Sequence, residues 1–370
     1  MHHFSKLTLK VIIASLFFIV FAQLKEKEDV KHYTLKLGKV ALHSKFEDKE
    51  WSHWGGSIIK DEEGIYHLFY SRWKKELGWA WVTHSEIAHA TSSSPDGPFE
   101  FKDITLTPRD AEYWDGLCTH NPTVHHFNGK YYLYYMGNTG DGKVMGSPGD
   151  IQLNILHRNN QKIGVAVADH PNGPWTRYDQ PLVDVTSDSL AMDALMVSNP
   201  SVTQNKEGDF LMVYKAVGKK RKGKWGGPVV HCVATSDSPL GPFKKYSEPI
   251  FQSKNHDFSA EDPFIWYQDN HYFAIVKDMH GAFTKHGRAL VLFHSENGFD
   301  WELSDNPLVS KLEIKWKNGQ VQVVDHLERP QLYLENGRPK ILSCAADIKD
   351  ENGVLQSFNV QIPIVSFDAK

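Results

Sequence analysis

Apolar and polar positions in this chain alternate in short bursts, and the bursts recur. The stretch GSIIKDEEGIYHLFY (56–70) reads as a short strand, a polar Gly-containing turn and an aromatic strand, and NPTVHHFNGKYYLYY (121–135) repeats it. The phrase returns at NPSV to GDFLMVY (199–214), DPFIWY to HYFAIV (262–276) and RPQLYL to GRPKIL (329–342). A second phrase, a strand, a turn, then Gly and an aromatic, follows in the first four copies: IAHATSSSPDGPF (87–99), VAVADHPNGPW (165–175), CVATSDSPLGPF (232–243) and VLFHSENGFDW (291–301). The prolines that open copies two to five stand at 122, 200, 263 and 330, separations of 78, 63 and 67 residues. Apolar residues keep no sustained 3.6-residue period outside the N-terminal leader, so helices should be few. A unit of roughly 60–80 residues holding four strands is one propeller blade with generous loops. The chain is therefore expected to be all-β, a single five-bladed β-propeller over residues 23–370.

The first 22 residues read as a signal peptide: Lys6 and Lys10, then the apolar run Val11–Ala22 ending in Val-Phe-Ala. That run is shorter than the ~20 residues of a membrane-spanning helix. The protein is expected to be exported, periplasmic or secreted, with no membrane association beyond export. Cys118, Cys232 and Cys344 are odd in number and far apart, which is neither a disulfide framework nor a zinc motif, and they read as buried small hydrophobes. With 41 basic and 45 acidic residues the net charge is −4, which argues against a nucleic-acid partner. Aromatics make up 12% of the chain, a content suited both to strands and to stacking on sugar faces.

Propeller topology converts position into geometry. Strands alternate in direction, so the openings of the inner strands, the ends of the second strands and the starts of the third share one face. The openings carry His53 and Trp54 before Gly56, then His120-Asn121, Asn199, Glu261-Asp262 and Glu328-Arg329. Second-strand ends add Arg72, Lys215 and Lys277, and a third-strand start adds His84. Together these make a mixed-charge funnel, with Trp51, Trp54 and Trp73 near its rim. The loop Lys219–Lys222, followed by Gly-Lys-Trp, follows a second strand and could overhang the funnel. The turns at 62–64, 95–97, 171–173 and 239–241 belong to the opposite face. Plainer roles compete: Glu261 and Glu328 could pair with Lys277 or Arg329, Asp262 could form a turn, and Asn121 and Asn199 could cap strand ends. No HxH or HxxxH pair supports zinc, so no catalytic metal or other cofactor is expected, while a structural calcium in the channel stays open.

Five blades with acidic residues at the inner-strand openings resemble the five-bladed glycoside hydrolases of families 43, 32 and 117. In family 43 a base Asp opens blade one, a second Asp opens blade three and an acid Glu opens blade four. The resemblance places Glu261, two residues before Pro263, at the acid position. The other two positions depart, with Gly56 in blade one and Asn199 in blade three, so the chain looks like a divergent member nearer in spirit to family 117. The resemblance implies an exo-acting glycosidase on a plant or algal oligosaccharide, neutral, acidic or sulfated, working by carboxylate acid/base catalysis. Glu261 would be the acid, its pKa raised by Asp262 or Glu328, with Asp193, Asp115 or His53 opposite. Arg329, Lys215 and Lys277 would hold a carboxylate or sulfate. The rival readings are a non-catalytic sugar-binding propeller, a polysaccharide lyase and a protein-interaction propeller. The sugar, the anomeric outcome and the oligomeric state are not written in these motifs.

Overall fold

Runs such as Tyr-Tyr-Leu-Tyr-Tyr and Val-Leu-Phe-His-Ser hold β-branched and aromatic residues that suit a pleated surface buried on both sides. They form the middle strands of the blades. The computed structural model describes residues 33–143, 153–351 and 353–369; the leader expected at 1–22 lies outside them. Blade 1 is Trp51–Lys60, Tyr66–Lys74, Glu86–Ser92 and Glu100–Leu106, in antiparallel order. Blade 2 comprises Cys118–Phe127, Lys130–Asn138, Lys162–Ala168 and Thr176–Arg177; blade 3 comprises Met196–Gln204, Phe210–Val217, Val229–Ser236 and Lys244–Lys245. Blade 4 is Ala260–Gln268, His271–Asp278, Ala289–Ser295 and Glu302–Lys311. Blade 5 takes His326–Glu335, Arg338–Lys349 and Leu355–Ala369 from the C-terminal end, and its outermost strand, Tyr33–Leu37, from the N-terminal end. That is why the fifth copy lacks the second phrase: its fourth strand is supplied by the other end of the chain.

The core lies between blades. Tyr132, Tyr134, Ile163 and Val165 of blade 2 pack on Val202, Phe210 and Met212 of blade 3, and Leu211 and Val213 pack in turn on Ile265 and Ala274 of blade 4. Serine hydroxyls stitch neighbours together by accepting backbone N–H groups: Ser71 from Asn121 (2.8 Å), Ser57 from Val124 (3.0 Å), Ser201 from Ile265 (2.9 Å) and Ser357 from His53 (3.1 Å). The three cysteines are free and buried, as expected.

The ring closes on a strand whose Tyr33 and Leu35 are each 4% exposed. Burying a side chain of that size contributes about 1.5–3 kcal/mol. A chain lacking residues 33–37 is therefore expected to lose about 3–6 kcal/mol, read as a lower urea midpoint, together with exposure of the blade-5 edge.

Every inner strand carries one extra residue near its start, where register shifts, and at that break stands a residue with positive φ: Gly55 (57°), Asn121 (53°), Asn199 (51°), Asp262 (51°) and Arg329 (50°). These are β-bulges, which re-aim side chains. Gly, Asn and Asp tolerate the left-handed region, whereas an arginine there is held against its preference. The motifs expected at the mouths of the inner strands thus lie within them, and the expected capping and turn-forming roles of Asn121, Asn199 and Asp262 become bulge roles.

Candidate active site

The bulges build two stacked rings. The residue just before each bulge, Trp54, His120, Ser198, Glu261 and Glu328, lines one cavity of about 530 Å³. The bulge residues form the floor. Asn121 Nδ2 donates to Asn199 Oδ1 (2.8 Å), Asn199 Nδ2 donates to Asp262 Oδ1 (2.7 Å), and Arg329 closes the circuit. Its Nη1 lies 3.6 Å from Asp262 Oδ1 and its Nη2 donates to the Asn121 carbonyl at 3.3 Å. Gly55 suits its place by its positive φ of 57°, and the Arg329 side chain packs against it. The blade-one sector, where the family pattern carries an Asp, is here filled by the arginine of blade five.

Above the floor Lys277 is the hub. Its Nζ donates to Glu261 Oε2 (3.0 Å) and to Glu328, while Lys215 donates to Glu261 Oε1 (2.5 Å). Burial by itself would raise the pKa of Glu261, but Lys215 and Lys277 outweigh it and hold the carboxyl far below its ordinary value. This overturns the expectation of a raised pKa at Glu261. Glu328 moves the other way: burial, with Glu261 and Asp262 close by, raises its pKa against the pull of Lys277. Asp262 is also raised, by burial first and Glu261 second. Lys277 is held well above its ordinary value, since Glu261 and Glu328 outweigh its burial. One oxygen from each of Glu261, Asp262 and Glu328 falls within a 4.8 Å span, the spacing of a cation site, and the ammonium of Lys277 bonds two of these carboxylates.

The walls are aromatic and cationic. Trp54, Trp73, Trp79, Trp81, Trp225 and Phe258 line the cavity, with Arg158, Arg221 and Arg288. The loop 219–226 does overhang it, through Arg221, Trp225 and Gly226. His120 stacks on Trp81, with ring centroids 4.7 Å apart, and its Nδ1 lies 2.7 Å from Ser85 Oγ. At the blade-five edge His326 Nδ1 meets both oxygens of Asp347 (2.8 and 3.0 Å), and that hydrogen bond raises the histidine pKa. The turns assigned to the opposite face contribute nothing to this lining.

Several expected residues lie elsewhere. Asp115 is fully buried, bonded to Arg109 (3.0 Å) and the Tyr135 hydroxyl (2.7 Å). Asp193 stands at the matching place in blade 3, bonded to Lys245 (2.7 Å) and the Tyr214 hydroxyl (3.3 Å). Each tethers the segment leading into an inner strand, six residues before its bulge, and neither lines the cavity. His53 points away because side chains alternate along a strand. Its ring packs on Phe46 (4.6 Å) and Tyr70 (4.7 Å), and burial lowers its pKa to about 4. Arg72 pairs with Glu86 (2.9 Å) over Trp51, and His84 bonds Thr83 (2.8 Å); all three expected positions, Arg72, His84 and Trp51, fall outside the lining. Arg329 closes the floor circuit, buried and outside the cavity lining, and Lys215 and Lys277 are taken by glutamates, so none of the three expected anion-binding cations is free for that work. The lining residues that no motif singles out, Arg158, Trp79, Trp81 and Arg288, sit between second and third strands, connections that alternation already places on this face.

No family model and no curated protein sequence matches this chain. Solved structures do. A family 117 glycoside hydrolase of the marine bacterium Zobellia galactanivorans is 17% identical, over 90% of each chain, with a TM-score of 0.57. A protein solved as an RGII complex is 14% identical over 91% of this chain and 92% of its own, with a TM-score of 0.60. An α-L-arabinofuranosidase from Lactobacillus brevis is 12% identical over 87% and 94%, with a TM-score of 0.55. The chain thus has the five-bladed propeller fold of the glycoside hydrolases it resembles, those of families 117 and 43 among them.

Proposed function

We propose that the protein is an exported, exo-acting glycoside hydrolase that releases sugars from a plant or algal oligosaccharide. One observation carries the reading: Glu261 and Glu328 flank a shared lysine at the base of a tryptophan-walled cavity, with opposite pKa shifts. Glycoside hydrolysis needs one carboxyl that holds a proton for the leaving oxygen and one that stays ionised opposite. Glu328 is the proton donor in this reading and Glu261 the ionised partner, the reverse of the role the family pattern assigns to Glu261. One oxygen of each comes within 4.8 Å of the other, with the Lys277 ammonium bonded to both. Tryptophan faces supply stacking for sugar rings. Localisation rests on the apolar run Val11–Ala22.

The test is a panel of plant and algal oligosaccharides, with products resolved by chromatography and monitored for the ultraviolet absorbance of unsaturated uronides. The wild type is expected to release a monosaccharide without that absorbance. Unsaturated products would replace the hydrolase with a lyase, and binding without turnover would make the chain a sugar-binding propeller.

A further inference from the structure

Arg158 stands out among the groups that the catalytic reading leaves unused. It belongs to a five-residue helix, Ile155–Asn159, in the connection between the second and third strands of blade 2. It lines the cavity and is only 8% exposed. Its guanidinium donates through Nη1 to Asn159 Oδ1 (2.8 Å) and to the Trp225 carbonyl (2.7 Å), and lies 5.6 Å from the Trp225 ring centroid. Among the described residues it forms no ion pair. The one carboxylate that bears on its charge is Glu261, and that group already accepts from Lys215 and Lys277.

A buried charge without a counter-ion is costly, and proteins retain one where a ligand completes it. The guanidinium keeps Nε and Nη2 for such a ligand, a planar fork matched to a carboxylate or a sulfate. Arg221 and Arg288, on the same cavity lining, likewise form no ion pair among the described residues. By contrast, the other cluster with metal-ligand spacing, Asp61, Glu63 and His170, does not suit a metal. The Nδ1 of His170 accepts the Asn172 N–H (3.1 Å), so Nε2 carries the ring proton and donates toward the carboxylates.

We infer that Arg158 forms a subsite for an anionic substituent of the saccharide, a uronate carboxylate or a sulfate ester, with Trp225 beside it. This rests on the cavity being a saccharide site and does not require hydrolysis. The test uses two matched pairs of probes: oligogalacturonides with their methyl esters, and sulfated galactan oligosaccharides with their desulfated counterparts. Binding is measured by calorimetry and turnover in parallel, for the full chain and for Arg158→Gln and Arg158→Lys.

One acidic probe is expected to bind roughly tenfold or more tighter than its neutral partner, the worth of a charge-assisted hydrogen bond. Which pair shows the preference identifies carboxylate or sulfate. Arg158→Gln should erase the preference by weakening only the acidic member, and Arg158→Lys should keep part of it. Should Arg158→Gln fail to fold, the lysine variant must still weaken the acidic member and leave the neutral one unchanged. The subsite is overturned by no acidic preference in either pair, by a preference that survives Arg158→Gln, or by equal loss on both members. Preferential binding without turnover would sink the hydrolase reading and leave the subsite standing. Turnover of acidic and neutral probes alike would do the reverse.

Discussion

Glu328→Gln is expected to lower kcat/KM on natural oligosaccharides by about 10²–10⁴-fold, the contribution of a positioned general acid. The loss should depend on the leaving group. An aryl glycoside whose phenol departs without protonation should lose less than about tenfold, because the missing proton is not needed there. Glu261→Gln should lose activity on both kinds of substrate, since the ionised carboxylate acts whatever leaves. The pH profile follows from the same pKa directions. The acid works while protonated, so activity should fall as pH rises through the raised pKa of Glu328. Glu261 stays ionised far into the acid range, so the acidic limb should lie well below pH 4.5, the ordinary glutamate value. Glu328→Gln should abolish the alkaline limb on aryl substrates. Should the two variants exchange leaving-group patterns, Glu261 is the acid after all.

Lys277→Met should cost about 3–5 kcal/mol at neutral pH, the expense of leaving the buried Glu328 without its cation and Glu261 with Lys215 alone. The lysine side chain is 4% exposed and those of Glu261 and Glu328 are 17% and 13% exposed, so solvent screens them little. Lys277 has a raised folded pKa, so its contribution is fully present below its unfolded pKa of 10.5 and disappears only above that. Glu261 has a lowered folded pKa, so its contribution is present above pH 4.5 and lost as pH falls through the folded value. In the variant the glutamates face each other and Asp262 without the hub, their pKa values rise, and protonation relieves the repulsion. The stability deficit in urea should therefore shrink as the pH is lowered toward the carboxyl range. A deficit of the same size at every pH would mean that Lys277 contributes packing and not charge.

The blade count, the order of strands within a blade and the face that carries the chemistry were all legible in the residues. Repetition of aromatic strands and Gly-containing turns is a local property, and alternation of strand direction places the inner-strand motifs on one face without knowledge of any contact. The closure by the N-terminal strand was not read from the sequence, although the fifth copy lacks the second phrase. Within the face, the cavity positions of Trp54, His120, Asn121, Asn199, Lys215, Glu261, Asp262, Lys277 and Glu328 followed from that topology alone. Asp115 and Asp193 did not follow, because a carboxylate preceding a strand looks the same whether it faces the funnel or a tyrosine hydroxyl behind it.

What the sequence alone determined about this protein is its architecture and the inventory of its funnel. Both depend on periodicity, and periodicity is carried by neighbouring residues. The tertiary structure decided the electrostatics: that Lys215 and Lys277 converge on Glu261, that Arg329 packs against Gly55, and that Arg158 forms no ion pair among the described residues. These contacts join residues up to 274 positions apart, from Gly55 to Arg329, and packing and charge alike depend on whichever groups lie within a few ångströms, not on those next to them in the chain.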